Sequence, residues 1–540
     1  MSLSNIYIRT FFSAFLVLGM TILLLSLSSA KFAIILIACA EIVFFFFAIL
    51  IFKNKFARCF FWTLYCLILG AQVSSIVNTG GYIIPLTLTN LTEFKAVGHE
   101  VLYQVVAIIV AYLLLSSPLY FLNKKIPIKK SLISILALVF IFINGPFHQF
   151  GLVMFQLYKQ VTYKPNYDYP EVAKKFLKFD IFHPTELGGY FEKGTPKNVI
   201  VIFTEGMSSH VIDSENKLGL NVTPNLDSLY SQGLVYENYY NHTAATFRGL
   251  RGQLSSAYQY RDGVDSKGEG FFQINGDKVT KTYDHRLTSL PEILNDHGYN
   301  TYFIAATQSD SNLNTLIRTM PFKKVYGMED FGWHLNDRMS DKKIFSALRE
   351  VVSKQNSSPF FIGMYSSGTH HGMDSPDQKY NNGDNPFYNK FYNYDYQLGE
   401  FLTWFKNSSF YDNTLLIITA DHSTFPVPQF KSSFKTSTDY FVDAIPLVMT
   451  GGGVKHAVLD AKGKNSLSLA PTILQIININ NAPNYFLGCS LFDQKCSSPF
   501  SHLTVIGDSY YNIYQKADGS YDSKETHSVS DVADFYNVSG

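Results

Sequence analysis

The chain has 540 residues, enough for two domains or more. Its side chains are 47% hydrophobic and only 16% charged, where a soluble globular protein carries about 25% charge; this excludes a disordered, collagen-like or coiled-coil chain. The formal charge of +1 hides ten basic and three acidic residues within 1–150, so the remainder is net acidic, which argues against nucleic acid as a partner.

Five apolar runs, at 7–29, 32–52, 59–78, 101–122 and 131–149, each approach the ~20 residues an α-helix needs to cross a bilayer. Their repetition speaks against a cleaved signal peptide. Lys53, Lys55 and Arg58 follow the second run, and Lys124, Lys125, Lys129 and Lys130 follow the fourth. The positive-inside rule makes both loops cytoplasmic. The loop from Asn78 to Glu100 then faces outward, as does everything after about Phe150. Residues 1–150 are therefore expected to be a transmembrane domain of five helices. Glu41 lies inside the second run. A carboxylate there is a functional candidate, unless it pairs with a neighbouring Ser or Thr or stays protonated.

Residues 151–195 read as a connector, and 196–510 as an α/β domain outside the membrane. Asn198–Phe203, Thr301–Ala305, Pro359–Tyr365, Thr414–Thr419 and Pro446–Thr450 are predicted strands. Helical patterns at Lys342–Gln355 and Tyr394–Asn407 lie between them. Continuous apolar strands alternating with helices imply a mostly parallel sheet covered on both faces. Residues 511–540 are polar and rich in Tyr, a hairpin or a loose tail. Cys489 and Cys496, the two cysteines of the outside half, suggest one disulfide in an oxidising compartment.

Polar residues gather where strands break into loops, which is where ligands bind in such sheets. Glu205 follows the first strand, and Asp421-His422 follow Leu415–Thr419. Two carboxylates and an imidazole make a ligand set for Zn, Mn or Mg. Taken singly, each fits a cap or an ion pair as well. Asn241–Gly252 carries Thr243 and Thr246 at a helix start, where a hydroxyl is either a plain N-cap or a group facing a phosphate. His370-His371, after the strand ending at Tyr365, offers imidazoles for substrate, metal or proton transfer.

The order of these motifs resembles the alkaline-phosphatase superfamily. More narrowly it is similar to the membrane-anchored, sulfatase-like phosphoryl transferases of bacterial envelopes: lipoteichoic acid synthases, phosphoglycerol transferases and phosphoethanolamine transferases. The motifs are Val199–Glu205, the Thr-containing helix start, Ser367-Gly368-Thr369-His370-His371-Gly372, Tyr411–Thr414 leading into Thr419–His422, Ile445–Val448, and Gly488–Asp493. The resemblance implies five membrane helices and an α/β/α sandwich with a mostly parallel central sheet. It implies Glu205, Asp421, His422 and Thr246 as metal ligands, and Thr246 as nucleophile with Thr243 the alternative. It implies His371 as the substrate-side histidine, with His370 beside it. Trp333 and Arg338 fall where relatives bind a phosphoryl headgroup, and the outer loop with Asn90 and Glu93 resembles one that holds a lipid donor.

The implied cofactor is a divalent ion, Zn or Mn, with Mg as the alternative. The implied partners are phosphatidylethanolamine or phosphatidylglycerol and an envelope glycan such as lipopolysaccharide, at a bacterial inner membrane with the catalytic domain periplasmic or extracellular. No cysteine stands in a Cys/Ser-x-Pro-x-Arg motif, which argues against sulfate-ester hydrolysis. Gly372-Met373 replaces the His-Phe-Pro of the lipoteichoic branch, and the single outside cysteine pair departs from the disulfide-rich phosphoethanolamine branch. A hydrolase on the same fold and a non-catalytic envelope protein stay open beside the transferase.

Overall fold

The computed structural model describes residues 3–28, 30, 32–49, 52, 54–79, 81–83, 99–117, 144–162, 175–192, 194, 196–259, 279–280, 287–334, 338–438, 441–506 and 509–526. Asn90, Glu93, most of the fifth apolar run and residues 527–540 lie outside them. The chain divides into two compact units, residues 1–159 with 426–431, and residues 160–425 with 432–540.

The first unit contains α1 (Leu3–Ser26), α2 (Phe32–Ile49), α3 (Lys55–Thr79), α4 (His99–Leu115) and α5 (Pro146–Thr162). Among the described residues, two helices are long and apolar enough to cross a membrane, at Phe32–Ile49 and Lys55–Asn78; Phe12–Ser26 and Tyr103–Leu115 are shorter apolar stretches. The 150/151 boundary expected from composition falls inside α5. Thr21 and Tyr112 share a hydrogen bond of 2.7 Å between α1 and α4. Asn78 Nδ2 donates to Gln104 Oε1 at 2.7 Å between α3 and α4. Such side-chain bonds fix helix pairs where apolar surface cannot discriminate. Glu41 is fully buried, and both its oxygens accept from the amide of Phe147, at 3.1 and 3.2 Å. Its partner is thus a backbone N–H in the first turn of α5, a group with no intrahelical acceptor.

The second unit is built on an eight-stranded sheet. Its strands are β2 (Asn198–Thr204), β3 (Leu234–Glu237), β4 (Asn300–Ala305), β5 (Lys324–Tyr326), β6 (Phe360–Ser366), β7 (Thr414–Ala420), β8 (Leu447–Thr450) and β9 (Ala457–Asp460). Their order is β5-β4-β6-β2-β7-β8-β3-β9. All pairs are parallel except those that β8 makes with β7 and β3. Val199–Phe203, Phe360–Ile362 and Leu415–Ile418 are wholly buried, which is why these strands read as unbroken apolar runs rather than alternating ones. Each such side chain contributes about 1.5–3 kcal/mol of burial.

Helices α6 (Pro224–Gln232), α7 (Thr246–Ser255), α8 (Leu290–Asp296), α9 (Asn312–Arg318), α10 (Asp341–Ser353), α11 (Pro386–Lys406) and α12 (Leu469–Ile476) belong to this unit. Helix α11 begins well before the expected Tyr394, because Asn385 caps it by accepting from the amides of Phe387 and Tyr388 and Pro386 opens its first turn.

Two smaller sheets complete the unit. β1 (Lys178–Asp180) pairs antiparallel with β10 (Asn481–Asn484). β11 (Leu503–Ile506), β12 (Ser509–Gln515) and β13 (Tyr521–Thr526) form an antiparallel sheet, so the 510/511 boundary falls inside β12 and a hairpin occupies the start of the polar tail. Cys489 and Cys496 are joined in a disulfide. The result is an α/β fold with a mostly parallel central sheet.

Candidate active site

Parallel register brings the carboxyl ends of β6, β2 and β7 level. Thr204 pairs with Ser366 on one side and Ala420 on the other. The next residues are tied directly: Glu205 N donates to Ser366 O at 3.2 Å, Asp421 N to Thr204 O at 3.1 Å and Met207 N to His422 O at 3.1 Å. Glu205, Asp421 and His422 therefore converge from adjacent strands. All three are buried, and one ligand atom from each lies within 4.8 Å of the others.

The hydrogen bonds leave a defined set of atoms facing inward. Asp421 Oδ1 accepts from the amides of Gly206 and His422, both at 2.8 Å, while its Oδ2 is buried without a partner. His422 Nδ1 donates to Ser423 O at 2.7 Å, which leaves Nε2 as the ligand nitrogen. That atom stands 3.4 Å from Glu205 Oε1 and 3.6 Å from Asp421 Oδ2. Burial and the Glu205 charge raise the Asp421 carboxyl. Burial also pushes Glu205 up, but His370 and His422 outweigh it and hold Glu205 below the usual range. Two buried carboxylates at this spacing repel unless a cation lies between them. The orphaned Asp421 oxygen, the imidazole nitrogen turned toward both carboxylates and the mixed O/N donors fit a divalent ion.

Thr246 is the first residue of α7, and its hydroxyl donates to Glu205 Oε2 at 2.9 Å. Ala245, immediately before it, has φ of +72° and ψ of 143°. A side chain in this region costs on the order of 1–3 kcal/mol, a strain that collects at functional sites. Helix α7 sits close against the end of β7: a Cβ on Gly249 would collide with the Asp421 carbonyl, and Gln253 Nε2 donates to Ala420 O at 2.9 Å. Thr243 instead donates to Val505 O at 2.8 Å and is buried. Of the two threonines, only Thr246 reaches the carboxylate cluster.

His370 and His371 lie half-buried on the loop after β6. His370 Nδ1 bonds the His371 carbonyl at 2.8 Å, and burial lowers its ring to about 4. His371 stacks on Phe425 at 5.2 Å, its Nδ1 is buried without a partner, and burial lowers it to about 3. Arg338 is near enough for its charge to act on His370 and Tyr365. Trp333 stacks obliquely on Phe331 at 5.7 Å with the Lys343 ammonium over its ring; residues 335–337 lie outside the described ones.

Sequence reasoning missed several groups here. Tyr365 donates its hydroxyl to Glu205 Oε2, and Thr369 Oγ1 donates to Glu205 O at 2.5 Å. Asp341 accepts from Asn393 at 3.0 Å and from the amide of Gly368, tethering the histidine loop. Tyr365 was legible only as a strand residue, since nothing in its neighbours marks the face on which a hydroxyl meets a carboxylate.

The Sulfatase family profile matches residues 197–479. Lipoteichoic acid synthase 1 of Bacillus subtilis (strain 168) is 24% identical over 332 residues, 56% of this chain and 49% of that protein. The chain thus spans about half the length of that curated relative. A protein in the alkaline phosphatase superfamily from Vibrio parahaemolyticus superposes with a TM-score of 0.51 at 17% identity, covering 72% of this chain and 93% of that one. The lipoteichoic acid synthase LtaP from Listeria monocytogenes gives 0.49 at 16%, covering 66% and 93%. With more than half of its residues inside the matched profile and its carboxylates and imidazole at the ends of that sheet, the chain belongs to the sulfatase family.

Proposed function

We propose that the protein is a metal-dependent phosphoryl transferase, which moves a phospholipid headgroup onto an envelope glycan through a phosphothreonine at Thr246. The observation that carries this reading is the Thr246 hydroxyl 2.9 Å from Glu205 Oε2, at the start of a helix and beside a buried ligand set. Glu205, Asp421, His422 and Thr246 would hold the ion, Zn or Mn with Mg as the alternative. When bound, it supplies a Lewis acid that lowers the hydroxyl pKa and draws charge from the phosphate.

Thr246 Oγ1 attacks phosphorus in line. An Oγ1–P bond forms, the P–O bond to diacylglycerol breaks, and the proton released by Thr246 ends on the departing oxygen. A sugar hydroxyl of the acceptor then attacks the phosphothreonine: its oxygen bonds to phosphorus, the Oγ1–P bond breaks, and its proton goes to Thr246 Oγ1. The first-turn amides of α7 and the helix dipole favour the anionic phosphate. His371, held neutral by burial, acts as a hydrogen-bond donor that steadies a phosphate oxygen. Catalysis is then largely positioning and electrostatics.

The five apolar runs support a multi-pass inner-membrane protein with its catalytic domain periplasmic or extracellular, placed where a lipid donor is reached. His371-Gly372 and the loop bearing Asn90 and Glu93 favour phosphoethanolamine, with lipopolysaccharide as acceptor. The likeness to lipoteichoic acid synthase 1 favours phosphoglycerol as a second reading.

Intact mass of the detergent-purified protein after incubation with phosphatidylethanolamine or phosphatidylglycerol, beside Thr246→Ala, tests both. A Thr246-dependent gain of one phosphoethanolamine or one phosphoglycerol is expected and identifies the donor. Metal-loaded protein that turns over without an adduct, or with water as the sole acceptor, rejects the transferase reading.

A further inference from the structure

Lys390 lies in the first half of α11 with a side chain only 2% exposed. Its ammonium reaches the His370 carbonyl at 3.4 Å, the face of Phe387 at 4.3 Å and that of Phe391 at 5.2 Å. Among the described residues, no carboxylate lies within ion-pair range of it. Buried ammonium groups are normally paired, because the lost hydration is costly. Two aromatic faces offset part of that cost. One long carbonyl contact uses only one of the three donors that a lysine carries.

Its surroundings show what the remaining charge faces. Burial lowers the Lys390 ammonium to about 7 against the pull of the Glu205 carboxylate, and its charge in turn acts on the rings of His370 and His371. Its 3.4 Å contact with the His370 carbonyl sets the lysine against the histidine loop. A divalent ion held there would cancel the charges of Glu205 and Asp421, and burial lowers both loop histidines, to about 4 and about 3. Arg338 is half-exposed, so water compensates it. Lys390 is then the buried amine without a counterion, and the single negative charge of a phosphodiester would favour its ammonium form.

Resting on the transferase reading above, we infer that Lys390 is the cation that binds the single negative charge of a phosphodiester substrate. The unpaired ammonium favours a diester over a neutral ester, and its spare N–H groups hold a non-bridging phosphate oxygen beside His371. Burial loosens the hold of the amine on its proton in the empty protein and a bound anion restores it, which is the counterpart of that selectivity.

The test uses full-length, Mn-loaded protein in detergent with Thr246→Ala as parent, so that nothing turns over. Calorimetry measures binding of glycerophosphoethanolamine and glycerophosphoglycerol, both soluble phosphodiesters. Adding Lys390→Met should weaken both at least about tenfold, while Lys390→Arg, which keeps the charge, stays within about threefold. Bound Mn should remain unchanged, and the melting temperature of the Met variant should hold or rise. Equal affinity in the Met variant and the parent overturns the assignment while leaving the transferase reading intact. So does a fall in melting temperature with affinity preserved in Lys390→Gln, which marks a structural lysine. A parent that holds Mn but binds neither diester rejects the phosphodiester site itself, and this inference with it.

Discussion

Thr246 donates its hydroxyl to Glu205 across 2.9 Å although the two residues stand 41 positions apart. One opens a helix and the other ends a strand, so this contact exists only because α7 abuts the carboxyl end of the sheet. Thr246→Ala should reduce transfer at least about 10³-fold and abolish the mass adduct, as loss of an activated nucleophile does. Thr246→Ser keeps an attacking oxygen and should retain measurable turnover. Thr243→Ala should keep the adduct, because that hydroxyl serves Val505. An adduct that survives in Thr246→Ala and vanishes in Thr243→Ala reverses the assignment.

Asp421 offers an unpartnered Oδ2 while its Oδ1 is held by two amides. Asp421→Asn keeps the Oδ1 acceptor and removes a charge that repels Glu205. Without metal, this variant should melt at or above the wild-type temperature. With Mn at about 100 times its Kd, wild type should gain about 2.7 kcal/mol by mass action, and the variant little or nothing. Elemental analysis and thermal melting with and without a chelator check both signs.

Gly249 lies in the interior of α7, where alanine would ordinarily stabilise by about 1 kcal/mol. Here a Cβ meets the Asp421 carbonyl, which is backbone and cannot swing away. Gly249→Ala should cost about 1–3 kcal/mol, as overpacking does, and reduce metal occupancy by moving α7 off β7. A rise in melting temperature with full metal content contradicts the close approach.

His210 Nε2 lies 3.2 Å from Asp443 Oδ1. The Asp443 charge, working against burial, raises the imidazole to about 9. An unfolded histidine titrates near about 6.5. The pair's stabilisation is therefore fully present below about pH 6.5 and is lost as pH climbs through about 9. His210→Asn should melt lower than wild type at pH 6 and converge with it by pH 10. A constant difference across that range would show that the pair contributes nothing through ionisation.

Much of this protein was legible as a string of residues. Buried parallel strands cannot alternate polar and apolar positions, so Val199–Phe203, Phe360–Tyr365 and Leu415–Ile418 declare themselves. Glu205 and Asp421-His422 declare the site, since each breaks such a run at its carboxyl end. Short strands such as β3, β5 and β9 did not stand out, because three or four residues carry too little periodicity to separate a strand from a loop.

The order of residues thus specifies local features: which runs are buried, where they end and which ionisable groups stand at those ends. Tertiary structure alone decided the rest. Thr246 rather than Thr243 faces Glu205 because β11 takes up the Thr243 hydroxyl. Tyr365 and Lys390 join the site because parallel register and the packing of α11 carry them there. Glu41 meets the amide of Phe147, 106 residues away. Hydrogen bonds and buried charges are matched in space, and residues so far apart in the chain become neighbours only once hydrophobic burial has set the layers in place.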